Sequence, residues 1–561
     1  MHDQEAAVLE MIGLRDHSLT NEYRIFGPPG TGKTRSATRH IGRAVDRFGS
    51  NSVMATSFTR AAAIELIGRD TPIDPDRIGT LHSFCFHALG KPKIAEANVG
   101  NWNRGNPRLS ITPVSRDRRL AGEDSNPDED HLLQGGDRLL QQLNCCRGRM
   151  LPPENWPAGV REFAPRWNKY KLANHLLDFS DLIETALRDL EFAPNKPDVI
   201  IADEAQDLNL MELNLLRKWG RHADHLVLAG DDDQTIYSWA GASPDAILDP
   251  GIPQDHKVFL NQSQRLPRAV HALAERLIRQ VSRRQEKTYL PRAEDGRVHR
   301  LSWGGYRSPE YGILKTAEHH LAQGKSIMFL ASCSYMLGPL LAALRKNGIP
   351  FHNPYRKANG FWNALRLGSA GSAARRILSL LGPHPGWAGA QRSWECRELL
   401  SWTEWLATGV VMRAGARERL SADLRAPASP DLLAEVFESD ALESLLAAYA
   451  RGYPELLRWW RSRLAAGFRA RTAFPAEVAL GRGAHGLVDD PGVVVGTIHS
   501  VKGGQADVVY LFPDLSKAAD AQYRWSGPPR DSVIRTFYVG ATRARETLYI
   551  CSAEGAAALS I

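Results

Sequence analysis

The stretch "FGPPGTGKT", residues 26–34, sets a glycine-rich turn directly after an apolar "YRIF" (23–26) and before a helix-compatible segment. Gly27, four residues, then Gly32, Lys33 and Thr34 satisfy the phosphate-loop pattern. Glycine lets successive backbone amides turn inward toward phosphate oxygens, and the start of the following helix adds a partial positive charge. Pro28, Pro29, Gly30 and Thr31 complete the expected cradle. Lys33 is expected to reach the outer phosphates, and Thr34 to ligate magnesium.

Outward from this loop, short apolar runs alternate with polar loops and helix-like segments. "SVMATSF" (52–58), "DVIIADE" (198–204), "HLVLAG" (225–230) and "KVFL" (257–260) read, with "YRIF", as buried parallel strands of an α/β core. A second set follows: "SIMFLASCS" (326–334), "GVVVGTIHS" (492–500), "ADVVYLF" (506–512) and "TLYICSA" (547–553). Two sheets are therefore expected, each interrupted once. The first interruption, 91–174, is polar and irregular, with "RDRR" (116–119) and an acidic "EDSNPDED" (123–130) expected as a solvated loop. The second, 356–487, reads as helical. Its "SPDLLAEVFESDALESLLAAYARG" starts with Ser429 as N-cap and Pro430 in the first helical position. It holds seven of the 14 tryptophans, including Trp459 and Trp460, for which core packing is the leading expectation and stacking on nucleic acid the minor one.

With 561 residues the chain has room for about three or four domains. Hydrophobic residues make up 43% and charged residues 24%, and no apolar run reaches the roughly 18 residues of a membrane span. The start, "MHDQEAAVLEM", lacks the basic then apolar order of a signal peptide, and six cysteines show no CxxC spacing. A cytoplasmic location, free thiols and no membrane partner are expected. A net charge of +7 leans toward a polyanionic partner.

A phosphate loop needs a second half that supplies a carboxylate for the metal and a group for the attacking water. "VIIADEAQD" (199–207) offers both, with Asp203 ending an apolar run as the metal-side ligand and Glu204 orienting the water.

These stretches do not stand alone. In order along the chain come "TSFTRAAAIEL" (56–66), "GTLHSFCFHAL" (79–89), "LDFSDLI" (177–183), "GDDDQTIYSWAGA" (230–242), "LNQSQRLP" (260–267), "GTIHSVKG" (496–503) and "FYVGATRARETLYI" (537–550). With the phosphate loop and "DEAQD", this set resembles the UvrD/Rep/PcrA family of superfamily 1 DNA helicases almost end to end. The resemblance implies two RecA-like parallel-sheet P-loop domains with ATP in the cleft between them, each carrying an inserted, mainly helical subdomain. Residues 1–90 and 175–265 would form the first RecA-like domain, with 91–174 as its insert. Residues 266–355 and 488–561 would form the second, with 356–487 as its insert.

By the same resemblance Gln4 reads the adenine edge, Arg35 stacks on adenine, and Gly503 belongs to the nucleotide site. Gln234, Arg265 and Arg543 face the γ-phosphate, the arginines arriving from the far domain. Phe58, Tyr237 and Trp239 would meet DNA bases, Thr59 would also contact DNA, and His82, Thr497 and His499 would meet its backbone. ATP and Mg2+ follow as cofactors. Single-stranded DNA and single-strand/duplex junctions follow as partners, alongside a possible protein loading partner. The implied activity is 3′ to 5′ translocation and unwinding. The alternative is a DNA-stimulated ATPase or translocase that senses DNA or remodels bound proteins in a repair or defence complex, with weak unwinding of its own. Three positions depart from the family pattern. Gln264 replaces an adenine-stacking aromatic, Ala240 an arginine beside the tryptophan, and Gln505 a glutamate. They spare the catalytic groups and point to weaker DNA affinity and coupling. The short remainder after "LYICSA" leads to the expectation that no nuclease is fused in this chain.

Overall fold

A computed structural model describes residues 21–58, 72–113, 135–249, 251–310, 312–355, 363–365, 371–406 and 409–561. The chain divides into two compact units. Unit 1 comprises Met1–His299, Pro513–Ile550 and Gly555–Ile561, and unit 2 comprises Arg300–Phe512 and Cys551–Glu554.

Unit 1 is built on a six-stranded sheet. Its strands are β1 (Glu22–Phe26), β2 (Val53–Ser57), β3 (Ile78–Gly79), β4 (Val199–Asp203), β5 (His225–Gly230) and β6 (Lys257–Phe259), in the order β3-β2-β4-β5-β1-β6. All five pairings are parallel, and they bring Ser57 opposite Asp203 and Phe26 opposite Gly230. Strands β1, β2, β4 and β5 are buried along their whole length, so both sheet faces are covered and the sequence shows continuous apolar runs instead of alternation. Successive residues still separate by face. Val53, Ala55, Val199, Ile201, Val227 and Ala229 join a core with Ala37, Ile41 and Ala44 of the helix Lys33–Phe48. Met54, Ile200, Ala202, Leu226 and Leu228 join the opposite core with the helices Leu81–Ala88, Phe179–Asp189 and Leu210–Gly220. The carboxyl ends of β1, β4 and β5 therefore share one edge, where open α/β sheets bind ligands.

Among the described residues after 91 there is more helix than the polarity of the stretch suggests. Helices Gly100–Gly105, Gly135–Gly148 and Ala158–Ala173 enclose a third core in which Trp102 meets Trp167 edge-on at 5.1 Å and Phe163 at 5.8 Å. Val160, Phe163, Ala164 and Trp167 recur at helical spacing, but the polar residues between them hide the pattern. Buried Asp178 ties this region to the sheet domain through Arg147 at 3.0 Å and the Trp167 indole at 3.0 Å, with Lys171 as a further partner. "RDRR" and "EDSNPDED" lie outside the described residues.

Unit 2 contains β8 (Ile327–Ala331), β9 (Val493–Thr497) and β10 (Ala506–Leu511), with β8 in the middle and both pairings parallel. β7 (Arg297–Arg300) lies, but for its last residue, in unit 1, as does β11 (Ala544–Ile550). Between β8 and β9 a helical region packs around Trp394, Trp402, Trp405, Trp459 and Trp460, all buried. The Trp460 indole donates to Trp402 O at 2.8 Å, and that of Trp459 to Ser444 Oγ at 2.9 Å. These rings are core, as the leading expectation had it. Ser429 caps its helix by accepting from Leu432 N at 3.1 Å, with Pro430 in the first position. The stretch is, however, split into two helices, Pro430–Val436 and Ser439–Arg451. Phe437 breaks it, because its backbone bridges to Met412 and its buried ring stacks on Trp402 at 5.8 Å. Among the described residues no helix is long and apolar enough to cross a membrane.

Candidate functional site

The phosphate loop leaves β1 and is closed by hydrogen bonds of its own. Gly27 N donates to Gly230 O at 3.0 Å, and Thr31 donates to Pro28 O through N at 3.2 Å and Oγ1 at 2.8 Å. Gly27 is required sterically, since a Cβ there would lie 2.0 Å from Lys33 Cγ. Gly30 and Gly32 hold φ of 75° and 84°, the left-handed region glycine enters without penalty. Lys33 folds back over the loop and donates from Nζ to Gly27 O at 2.9 Å. Thr34 stands in the first turn of the helix Lys33–Phe48.

Asp203 ends β4 beneath this loop and is almost fully buried. Its Oδ1 accepts from Glu204 N at 3.0 Å, whereas its buried Oδ2 meets no hydrogen-bond donor among the described residues. Burial, then the neighbouring Glu204 charge, push its carboxyl up to about 7 against the pull of Lys33, of the Glu204 amide and of the nearby Thr34 hydroxyl. A buried carboxylate oxygen without a donor, beside a threonine hydroxyl and a lysine, fits a divalent cation with phosphate ligands.

Glu204 sits at φ 54° and ψ 37°, a left-handed conformation costing a non-glycine residue about 1–3 kcal/mol. Gln206 Nε2 donates to Glu204 Oε2, and its Oε1 accepts from Asp231 N at 3.0 Å. Asp231 Oδ2 in turn accepts from Gln234 Nε2 at 2.7 Å, and Gln234 Oε1 accepts from Arg543 Nη2 at 3.1 Å. One line of hydrogen bonds thus runs from Glu204 to Arg543. Arg543 is buried and Arg265 half-buried, both within unit 1. Arg265 is set by the loop itself, because Gln264 N donates to Gly30 O at 2.8 Å and Ser263 Oγ to Pro29 O at 2.8 Å. Beside these residues a cavity of about 250 Å3 is lined by Thr31, Gly32, Arg35, Ser36, Phe259 and Gln264, among others. Gln264 and Arg35 therefore face the same space.

The stretch 230–242 carries a second feature. Tyr237 stacks on Phe58 at 5.4 Å and 29°, and meets Trp239 edge-on at 5.9 Å; all three rings are half-buried. His82 Nδ1 lies 3.5 Å from Glu212 Oε1 on the same unit. Thr497, buried, His499 and Gly503, at φ 87°, belong to unit 2. Gln4 and Thr59 lie outside the described residues.

Two participants carry no motif-like signature. Lys287 is buried against Asp231 at 3.1 Å and Asp233 at 2.9 Å, with Asp232 also in contact, and Arg284 pairs with Asp233 at 2.6 Å. The three adjacent acids could frame a metal, but an ammonium occupies that position. A lone lysine some fifty residues downstream gives no local cue.

A phosphate loop, a strand-end Asp–Glu pair and two arginines around a parallel sheet define a P-loop protein of the RecA-like α/β class. Residues 15–251 match the UvrD/REP helicase N-terminal domain, and residues 492–551 the UvrD-like helicase C-terminal domain, together just over half of the chain. The chain belongs to the UvrD-like helicase family. It is 24% identical over 366 residues to ATP-dependent DNA helicase PcrA of Staphylococcus aureus, covering 60% of this chain and 48% of that protein. It is 26% identical over 294 residues to the PcrA of Bacillus subtilis, covering 48% of this chain and 39% of that one. The chain spans about half the length, or less, of these curated relatives.

Proposed function

We infer that the protein is an ATP-dependent DNA helicase that moves 3′ to 5′ along single-stranded DNA in the cytoplasm and unwinds duplex at single-strand/duplex junctions. The observation that carries this reading is the loop 230–242, in which Gln234 is bonded to Arg543 and, three residues on, Tyr237 is stacked on Phe58. A change at the γ-phosphate end moves Gln234, and the aromatic rings share its short backbone segment.

Lys33 and the loop amides bind the phosphates, and Arg265 and Arg543 neutralise charge on the transferred group, a role worth about 10³ to 10⁵ in rate. Glu204 accepts the proton of the attacking water. Thr34 and Asp203 would hold Mg2+, which supplies further neutralisation of phosphate charge. Arg35 and Gln264 bound the adenine end, with Gln4 on the base edge. Phe58, Tyr237 and Trp239 take bases, Thr59 also contacts the DNA, and His82, Thr497 and His499 take backbone. The division into two RecA-like domains with inserts at 91–174 and 356–487 belongs to the same reading.

The deciding experiment measures ATP-dependent strand separation on matched duplexes with a 3′ or a 5′ single-stranded tail. Unwinding from the 3′ tail alone is expected. Unwinding from neither, with DNA-stimulated ATPase intact, would favour the second reading, a translocase or sensor that needs a loading partner. Ala240 supports that alternative, since it puts no cation beside Trp239. Replacing Tyr237 with alanine is expected to weaken binding to oligo-dT by about 1–3 kcal/mol, measured by fluorescence anisotropy. An unchanged Kd would make Tyr237 a packing residue.

A further inference from the structure

Lys287 lies in "RRQEK" (283–287), outside every stretch that carries the family resemblance. Its side chain is only 2% exposed, and Nζ stands 5.9 Å over the ring of Phe26, the residue leading into the phosphate loop. Its partners are Asp231, Asp232 and Asp233, whose carboxylates are themselves buried. Arg284 takes up Asp233 with two hydrogen bonds, at 2.9 and 2.6 Å, leaving Lys287 as the ammonium on Asp231 Oδ1. The other oxygen of Asp231 accepts from the Gln234 amide. Gln234 is thus held between an acceptor and a guanidinium, and only one amide orientation satisfies both.

We propose that Lys287 is a positioning residue for the γ-phosphate end of the site: by clamping Asp231 it fixes the Gln234 amide with its oxygen toward Arg543. Without the ammonium, Asp231 Oδ1 loses its cation and three crowded buried carboxylates retain the Arg284 guanidinium as counter-charge, so Asp231 is no longer held in place beneath the Gln234 amide. An amide that shifts or turns there presents NH2 instead of oxygen to the Arg543 guanidinium, donor against donor. Lys287 acts through Asp231 and Gln234 and touches no substrate. The inference rests on the role given to Gln234 above.

The test uses the full chain, with ATP turnover stimulated by oligo-dT. The pair Lys287→Met with Asp232→Asn removes one buried charge of each sign, and its thermal melting is recorded beside the kinetics. It is expected to lower kcat by about 10- to 100-fold, the scale of a misplaced group, with the KM for ATP within about 3-fold of wild type. Introduced into Gln234→Ala, the same pair is expected to lower kcat no further, because both changes break one line of contacts. Lys287→Arg is expected to restore part of the rate. Wild-type kcat in the pair, a full additional loss in the Gln234→Ala background, or loss of the native melting transition would overturn the proposal. Wild-type turnover by Gln234→Ala alone would instead remove the role of Gln234 from the proposed function, a separate and recognisable result.

Discussion

Replacing Lys33 with alanine is expected to lower ATP turnover by about 10³-fold or more, at the upper end of what one preorganised donor contributes. The ammonium rests 2.9 Å from Gly27 O, with its stem where a Gly27 side chain would otherwise be. In exchange for that carbonyl it takes charged phosphate oxygens, and charge-assisted bonds of this kind are about twice as strong as neutral ones. Alanine forfeits one neutral hydrogen bond, about 1 kcal/mol of stability, so the fold should survive while the chemistry does not. A second injury follows at the metal side. Lys33 is one of the influences holding the Asp203 carboxyl down against its burial, so its loss favours protonated Asp203, a poor cation ligand. Oligo-dT-stimulated phosphate release, measured over a magnesium series with thermal melting as control, checks both effects. Retained turnover would remove the phosphate-loop assignment.

The residues that were legible in the sequence are those whose cause is local. Strands β1, β2, β4 and β5 show as apolar runs because both sheet faces are covered, and the phosphate loop shows because Gly30 and Gly32 answer to positive φ and Gly27 to the nearby Lys33 stem, all local causes. β3 was invisible, since two residues carry no period. The break at Phe437 was invisible for a different reason: apolar spacing continues through it, and only the distant Met412 and Trp402 interrupt the helix. The core around Trp102 and Trp167 was masked by intervening polar residues that face solvent or pair, as Lys171 does with Asp178. At the site, Glu204 and Gln234 could be named from their stretches. Neither the hydrogen-bonded line joining them through Gln206 and Asp231 nor the Lys287 ammonium beneath it could, because these contacts depend on which strand ends lie side by side.

Glu204→Gln is expected to separate binding from chemistry, with ATP held but hydrolysis slowed by about 10²- to 10⁴-fold, the range of a positioned general base. The substitution suits the site structurally. A glutamine carbonyl oxygen still accepts the Gln206 amide, and the left-handed backbone at φ 54° is asked of either residue alike. It also acts on Asp203 in the opposite sense to Lys33→Ala. The Glu204 charge is the second cause, after burial, that pushes the Asp203 carboxyl up to about 7. Neutralising it favours ionised Asp203, so the cation and the nucleotide it accompanies should bind at least as tightly as in the wild type. Titration with a fluorescent ATP analogue in magnesium, beside single-turnover hydrolysis, reads the two quantities separately. Retained affinity with lost hydrolysis assigns the water to Glu204. Near-normal hydrolysis would move that role to another acceptor at the same strand edge, with Gln234 the first to replace, and weakened binding would show that Glu204 shares the cation with Asp203.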